Sequence, residues 1–185
     1  MAKSPGRKFE DNFQSSANHH GIFFDNIKDV YIPPELRTKI KVPKNKYDCF
    51  LFSQGHLLPL ELKSTSQTSF GFPIETDSKD TNKVIKQHQI DKLEEAYMVE
   101  ESNQDGLIPG FVFNFRKYDN KTFFLHILDF INFKKETTRK SISFDLCKDK
   151  GIDITFNKLR TNYRYNLLDF VSNVIKEYQN NRWKT

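Results

Sequence analysis

Apolar residues recur at helical spacing near both ends of the chain and in its middle, and they alternate or run continuously in the segments between. The helical spacing predicts α-helices at about residues 7–17, 79–101 and 165–178, and a shorter one at 129–135. The other segments predict strands at 22–27, 47–52, 57–63, 111–115, 122–128 and 152–156. Helices and strands in this order are typical of an α/β or α+β protein, in which a mixed central sheet is flanked by helices.

Two of these strands form a predicted hairpin that brings two acidic residues together. If Gln54 and Gly55 are the central residues of a tight turn, paired residue numbers sum to 109, and Asp48 lies across from Glu61. Two opposed carboxylates about 5 Å apart repel each other by about 3 kcal/mol at an effective dielectric constant of about 20. A divalent cation between them would remove this repulsion, because Mg²⁺ prefers oxygen ligands. The hairpin therefore predicts a metal site.

Alternation along the second strand of the hairpin adds a cation to the acidic pair. Successive side chains of a strand point to opposite faces, so Lys63 shares a face with Glu61, while Leu60 and Leu62 face the core. Cys49 faces opposite to Asp48 and is expected to be a buried, small apolar residue. Asp, Glu and Lys side chains thus converge on one face.

Composition limits what kind of protein carries this site. With 185 residues, 37% hydrophobic residues and 18 Phe, the chain is expected to form a single domain, residues 1–185, with a frayed tail at about 180–185. It has no apolar run long enough for a membrane span and no signal peptide, so we expect a cytoplasmic protein without membrane contact. Two cysteines without a CxxC motif argue against a disulfide framework. A net charge of +5 fits a nucleic-acid partner.

A short basic ribbon at about residues 33–46 precedes the hairpin and carries Lys39, Lys41, Lys44 and Lys46. Lysines on an edge strand protect it from aggregation, and lysines beside a metal site can also contact DNA phosphates. The sequence leaves both interpretations open.

Other polar positions are ambiguous from spacing alone. Glu10 lies next to the apolar Phe9, and its spacing favours an ordinary acidic residue that the dipole of the first helix stabilises. The alternative is a role at the acidic site. Ser64 and Thr65, at the end of the hairpin, could bond a phosphate or satisfy the strand end.

The series of motifs resembles a known family. The spacing Asp48-x12-Glu61-Leu62-Lys63 looks like the PD-(D/E)XK nuclease signature, and Tyr47 replaces the proline of that name at a position known to vary. Together with further segments, this pattern resembles the RecU family of Holliday junction resolvases, including phage-encoded relatives. RecU proteins carry a long stalk between early strands, whereas the corresponding segment here, residues 33–46, is short. The segments that carry the resemblance are residues 6–10, residues 61–65, His88-Gln89 and residues 104–106.

The resemblance implies a restriction-endonuclease-like fold and a Mg²⁺-dependent nuclease, with Mn²⁺ able to substitute and without a small-molecule cofactor. It implies a homodimer that acts on four-way DNA junctions in a bacterial or phage-infected cell. It also implies roles by position. Asp48, Glu61 and the Leu62 carbonyl would hold metal, Lys63 would lie near the attacking water, Glu10 and Gln89 would border the site, and Arg7, the four ribbon lysines, Ser64 and Thr65 would contact DNA.

Three other hypotheses stand beside this one. The chain could be another PD-(D/E)XK endonuclease, of restriction or repair type, that cuts linear duplex or flaps. It could also be a DNA-binding module without catalysis, which the cost of opposing two carboxylates disfavours. An HNH-type nuclease built on His19 and His20 is disfavoured because the strand and helix context of such a site is absent.

Overall fold

The computed structural model describes residues 3–27, 33, 35, 45–74, 83–103 and 106–183. Most of the predicted basic ribbon, including Lys39, Lys41 and Lys44, lies outside the described residues, and so does the predicted start of the second long helix at 79–82.

A six-stranded sheet forms the centre of the fold, in the order β1-β2-β3-β5-β6-β8. Strands β3 and β5 are parallel, and the other neighbours are antiparallel. The predicted fold class, a mixed sheet flanked by helices, is confirmed. Two small antiparallel pairs, β4 with β7 and β9 with β10, lie beside it. The strands are β1 (Phe23–Asn26), β2 (Cys49–Ser53), β3 (His56–Thr65), β4 (Ser69–Gly71), β5 (Gly110–Phe115), β6 (Lys121–His126), β7 (Ser141–Ser143), β8 (Ile152–Asp153), β9 (Phe156–Lys158) and β10 (Tyr163–Tyr165).

In the part of the chain that the structure describes, five α-helices flank the sheet, and four of them begin at side-chain caps. The first helix starts at Pro5, where a missing N–H costs nothing, and the Ser4 hydroxyl accepts the N–H of Arg7. His126, Ser143 and Asn166 cap later helices in the same way. The helices are α1 (Pro5–His19), α2 (Gln87–Asn103), α3 (Ile127–Glu136), α4 (Phe144–Lys150) and α5 (Leu167–Gln179).

The predicted hairpin is confirmed as β2 and β3. Gln54 and Gly55 have φ values of 52° and 77°, the left-handed conformation that a two-residue hairpin turn of type I′ requires. Pairing runs from Ser53 with His56 to Cys49 with Leu60, so every pair sums to 109 as expected. Strand β3 continues beyond this ladder and pairs with β5 on its other edge. It is therefore a central strand of the sheet.

The sheet separates two apolar cores. Helices α1 and α5 cover one face, where Phe13, Tyr165 and Phe170 are buried, while α2, α3 and α4 cover the other. Leu60 and Leu62 of β3 point into the first core, as predicted. Because side chains alternate, Glu61 and Lys63 point to the second face.

Several predicted boundaries need correction. The second long helix begins at Gln87 and not at about residue 79, and the N–H of Ile85 bonds to the Gly71 carbonyl before the helix starts. Val84, which lies within the predicted helix, is outside the observed one and is 46% exposed. The last predicted helix, at 165–178, begins at Leu167, where Leu167 and Phe170 occupy the buried stripe of α5 and Leu168 is 46% exposed. The predicted strand at 152–156 is divided between β8 and β9.

The predicted frayed tail is wrong for the described residues 180–183. Trp183 is 4% exposed, its ring stacks on His126 with centroids 4.4 Å apart, and its Nε1 donates to Asp129 Oδ2 at 2.9 Å. The hydroxyl of Tyr97 donates to the Trp183 carbonyl. An indole buried among aromatic rings anchors the end of the chain to α2 and α3.

Candidate active site

Asp48, Glu61 and Lys63 meet at one point beside β3. Lys63 Nζ donates to Glu61 Oε2 at 2.8 Å and to Asp48 Oδ2 at 3.3 Å. The side chain of Glu61 is 2% exposed and that of Lys63 is 12% exposed, whereas Asp48 is 35% exposed. The structure thus brings together the three residues of the predicted motif, with Asp48 nearest to solvent.

The backbone at Asp48 departs from the predicted direct pair with Glu61. The last ladder pair of β2 joins Cys49 to Leu60, and the N–H of Asp48 bonds to the Leu60 carbonyl instead of extending the ladder. Asp48 Oδ2 accepts the N–H of Leu62 at 2.8 Å and so replaces a strand partner. The N–H and C=O of one strand residue point to the same side, so the Leu62 carbonyl also faces the side of Asp48.

Gln89, in the first turn of α2, forms a hydrogen bond to the Glu61 carboxylate. Its Nε2 donates to Glu61 Oε2 at 2.7 Å, and its Oε1 accepts the N–H of Lys86 at 3.0 Å. The second bond orients the amide, so that its donor side faces the carboxylate. Gln89 therefore connects the helix start to the acidic motif.

Burial and charge shift the ionisation of this cluster. Burial raises the pKa of Glu61 to about 8, with a further rise from Asp48 and an opposing effect from Lys63. Burial alone would lower the pKa of Lys63, but the two carboxylates outweigh it and raise this pKa above its ordinary value. Burial, followed by the charge of Asp48, raises the pKa of Glu10. Glu10 is therefore electrostatically coupled to the cluster.

A polar cleft of about 730 Å³ opens onto Glu10, Asp48 and Glu61. Arg7 and Glu10 of α1 and Gln89 of α2 also belong to its lining. Sequence reasoning missed several polar residues of its wall. Among these, Asn45 donates from its Nδ2 to the Ile27 carbonyl at 2.9 Å, which ties the segment before Asp48 to the end of β1. No spacing signal marks these residues, because they come from three separate segments: Gln14, Asn26 and Asn45.

The structure distributes the other predicted DNA contacts unevenly. Ser64 points to the opposite face from Lys63 and donates to Asn114 Oδ1 at 2.8 Å, so it is not brought to the cleft. Thr65 is 7% exposed, and its hydroxyl accepts a hydrogen bond from the N–H of Gln67 in the turn after β3. Lys46 is exposed and lies 3.7 Å from Glu95. Among the predicted DNA contacts that the structure describes, Arg7 alone lines the cleft.

The donors at the cleft are of the type that a hard cation takes. The Asp48 and Glu61 carboxylates and the Leu62 carbonyl are all oxygen ligands, and Mg²⁺ is commonly held by one or two carboxylates plus waters and phosphate oxygens. Over the described ranges, no group of three or more His, Cys, Asp and Glu side chains is arranged to bind a metal. The site fits an ion that keeps water or substrate in its remaining positions.

The fold and the site define an α+β protein with a buried acid–lysine cluster at the base of a polar cleft. By sequence, the chain belongs to the family of the SPbeta prophage-derived uncharacterized protein YotM of Bacillus subtilis (strain 168), with 37% identity over 190 residues that cover 96% of this chain and 90% of YotM.

A more distant similarity joins the chain to a Holliday junction resolvase RecU, from Ureaplasma parvum serovar 3. The two are 25% identical over 133 residues, which is 72% of this chain and 65% of that protein. Among solved structures, Hjc, a Holliday junction resolvase from Archaeoglobus fulgidus, aligns with a TM-score of 0.48 and 12% identity over 80% of this chain and 95% of Hjc. No protein-family model matches the chain. Among the helices of the described ranges, none is both long and apolar enough to cross a lipid bilayer.

Proposed function

We propose that this protein is a Mg²⁺-dependent endodeoxyribonuclease that resolves four-way DNA junctions by paired phosphodiester hydrolysis. The observation that carries the proposal is the position of Lys63 Nζ, 2.8 Å from Glu61 and 3.3 Å from Asp48, the two carboxylates that line an open polar cleft. The similarity to the RecU of Ureaplasma parvum supports a junction as the substrate. The prophage relative agrees with the expected phage origin.

Asp48, Glu61 and the Leu62 carbonyl would hold the ion, for which Mn²⁺ would substitute. When bound, the ion supplies Lewis-acid polarisation of a phosphoryl oxygen and a water of lowered pKa. The choice of Mg²⁺ rests on an all-oxygen donor set, which suits a hard cation better than zinc.

The protein groups around the ion have separate tasks. Lys63 directs its ammonium group to the attacking water and offsets the negative charge that grows on the phosphate as the P–O bond to the leaving oxygen breaks. Gln89 holds the Glu61 carboxylate in one orientation through its 2.7 Å hydrogen bond. Glu10 places a third carboxylate beside the cluster, and Arg7 offers a cation at the cleft for a non-bridging phosphate oxygen.

Junction resolution takes two symmetric cuts, so we infer a two-fold homodimer that presents two copies of the cleft. Light scattering of the purified protein, free and bound to a junction, tests this inference. A single protomer on a junction that is cut on both strands would contradict it.

The test of the function is a comparison of substrates and variants. In the presence of Mg²⁺, the protein is offered a four-way junction, a linear duplex, a flap and single strands, and we expect paired symmetric nicks in the junction alone. Asp48→Asn and Glu61→Gln should abolish cleavage and retain most of the DNA affinity. Asp91→Asn, which removes an exposed carboxylate of α2 outside the cleft, is the matched control.

Three outcomes would change the assignment. Equal cutting of linear duplex would favour another PD-(D/E)XK endonuclease over a resolvase. Full activity of Asp48→Asn or Glu61→Gln would show that these carboxylates do not form the site. DNA binding without cleavage of any substrate, with either metal, would favour a non-catalytic binding module.

A further inference from the structure

The hairpin of β9 and β10 carries positive charge without acidic residues. Between residues 156 and 165 it has three cations and no Asp or Glu. Lys158 and Arg160 are exposed and Arg164 is partly exposed. In the part of the chain that the structure describes, none of the three forms an ion pair. The positive charge of this surface is therefore available to a negatively charged partner.

This hairpin is firmly attached to α1. The N–H of Tyr165 donates to Ser16 Oγ at 2.9 Å, and its carbonyl lies 3.1 Å from His20 Nε2. The ring of Tyr165 packs edge-on against Phe9, with centroids 5.7 Å apart. The loop is closed by the N–H of Leu159, which donates to the Asn162 carbonyl at 2.8 Å. The cations are therefore held in place relative to the helix that borders the active-site cleft.

A groove of about 550 Å³ lies between the hairpin and α1 and adjoins that cleft. Lys8 and Arg164 line the groove, and Asp11 lines both the groove and the cleft. Asp11 is the acidic residue of the groove among those the structure describes, and its carboxylate pairs with Lys3 at 2.7 Å. Within the described ranges, neither Lys8 nor Arg164 forms an ion pair with an acidic side chain. Positive charge thus continues from Arg7 at the cleft, over α1, to the hairpin.

We propose that Lys8, Lys158, Arg160 and Arg164 form a binding surface for the phosphate backbone of the duplex arm that leads into the cleft. The inference rests on the proposed function, because it takes DNA as the polymer whose scissile phosphate occupies the cleft. Duplex DNA carries one charge per about 1.7 Å of axis, so an arm that leaves the cleft over α1 brings further phosphates to these cations. An acidic peptide would match the charges as well, but it carries no scissile phosphate to place in the cleft.

The experiment measures the salt dependence of DNA binding by the full chain. A labelled duplex and a labelled four-way junction are titrated in EDTA, which prevents cleavage, over a series of salt concentrations. The test variant is Lys158→Gln/Arg160→Gln/Arg164→Gln. The control is Lys135→Gln/Arg139→Gln/Lys148→Gln, which loses the same charge from exposed residues of α3, the loop that follows it, and α4, all on the other side of the sheet.

We expect the hairpin variant to lose at least about tenfold in affinity at about 0.1 M salt, and the slope of log K against log salt to shrink by about 2 to 3. The control variant should keep the slope of the wild type. Equal losses in both variants, or no loss in the hairpin variant, would overturn the proposal. If the hairpin variant melts below the wild type, Lys8→Gln/Arg160→Gln replaces it, with an expected slope change of about 1 to 2.

Cleavage separates this proposal from the proposed function. At saturating protein, the single-turnover rate of the hairpin variant should equal that of the wild type, because the hairpin binds and does not react. If the wild type cuts no DNA, the proposed function fails, while the comparison of salt slopes still decides whether the hairpin binds a duplex. If the wild type cuts and the slopes are equal, the hairpin proposal alone fails.

Discussion

Gln89 Nε2 donates to Glu61 Oε2 at 2.7 Å, and the same oxygen accepts from Lys63 Nζ at 2.8 Å. One oxygen of a carboxylate that is 2% exposed thus receives two donors, one from a helix start and one from its own strand. Gln89 also accepts the N–H of Lys86, so the start of α2 and the acidic motif are one hydrogen-bonded unit. This arrangement makes Gln89 a positioning residue for Glu61.

Loss of the Gln89 amide should slow cleavage more than it weakens DNA binding. We expect Gln89→Ala to lower the single-turnover rate about 10- to 100-fold, because a hydrogen bond to a charged group contributes about 1.5–3 kcal/mol. Gln87→Ala is the matched control, since Gln87 lies in the same turn of α2 and bonds to Asp91 and Lys134 outside the cleft. Equal rates for the two variants would contradict the positioning role.

The buried Glu61 should make stability depend on pH in the absence of metal. Its pKa is about 8 in the folded protein against an ordinary value of 4.5, so the folded state binds this proton more tightly than the unfolded state. The stabilisation is complete below about pH 4.5 and is lost as the pH rises towards 8, by up to about 1.4 kcal/mol per pH unit.

Glu61→Gln removes this titration and is the variant that tests it. We expect its free energy of unfolding, measured with denaturant from acidic to mildly alkaline pH, to exceed that of the wild type increasingly towards pH 8. Glu136→Gln, which changes an exposed carboxyl of α3, should follow the wild type. A constant difference between wild type and Glu61→Gln across this range would show that the Glu61 proton is not coupled to folding.

Divalent metal should stabilise the wild type independently of any DNA. A ligand that binds the folded state alone raises stability by about 2.7 kcal/mol at 100 times its dissociation constant. We therefore expect Mg²⁺ or Mn²⁺ to raise the melting temperature, and Asp48→Asn to lose this increase. Asp91→Asn should keep it, and an equal increase in Asp48→Asn and the wild type would place metal binding elsewhere.

Local sequence signals predicted the hairpin and its register well. A Gln-Gly turn and strict alternation act over a few residues, so the positions of Leu60, Glu61 and Lys63 follow from them. The departure at Asp48 could not be predicted in the same way. Its carboxylate takes the N–H of Leu62, and a side chain that replaces a backbone partner leaves no trace in a pattern of apolar residues.

Contacts between distant segments were predicted less well. Spacing alone favoured an ordinary role for Glu10 and gave Gln89 none, because their positions depend on how α1 and α2 pack around the end of β3. The resemblance to RecU assigned both residues to the border of the site, and in the structure both line the cleft. No sequence pattern predicted the basic hairpin of β9 and β10, because its short strands are not part of a long apolar pattern.

The end of the chain provides the strongest case of a tertiary contact that overrides local composition. Residues 180–183 read as Asn-Asn-Arg-Trp, a polar segment in which a single indole carries the packing. Burial lowers the pKa of His126 to about 3, so a neutral imidazole stacks on Trp183. The Trp183 indole N–H is satisfied by Asp129, and its carbonyl by Tyr97.

Trp183→Ala should therefore destabilise the protein by about 3–5 kcal/mol, the usual loss for a large aromatic residue removed from a core. Trp183→Phe keeps a ring over His126 and loses the hydrogen bond to Asp129, so its cost should be smaller. Arg182→Ala is the control, because the ion pairs of Arg182 with Asp129 and Glu177 are partly exposed and contribute about 1 kcal/mol or less. Denaturant unfolding of the three variants gives the comparison. If Trp183→Ala costs no more than Arg182→Ala, the end of the chain is not anchored by its indole, and the buried stack on His126 does not contribute to stability.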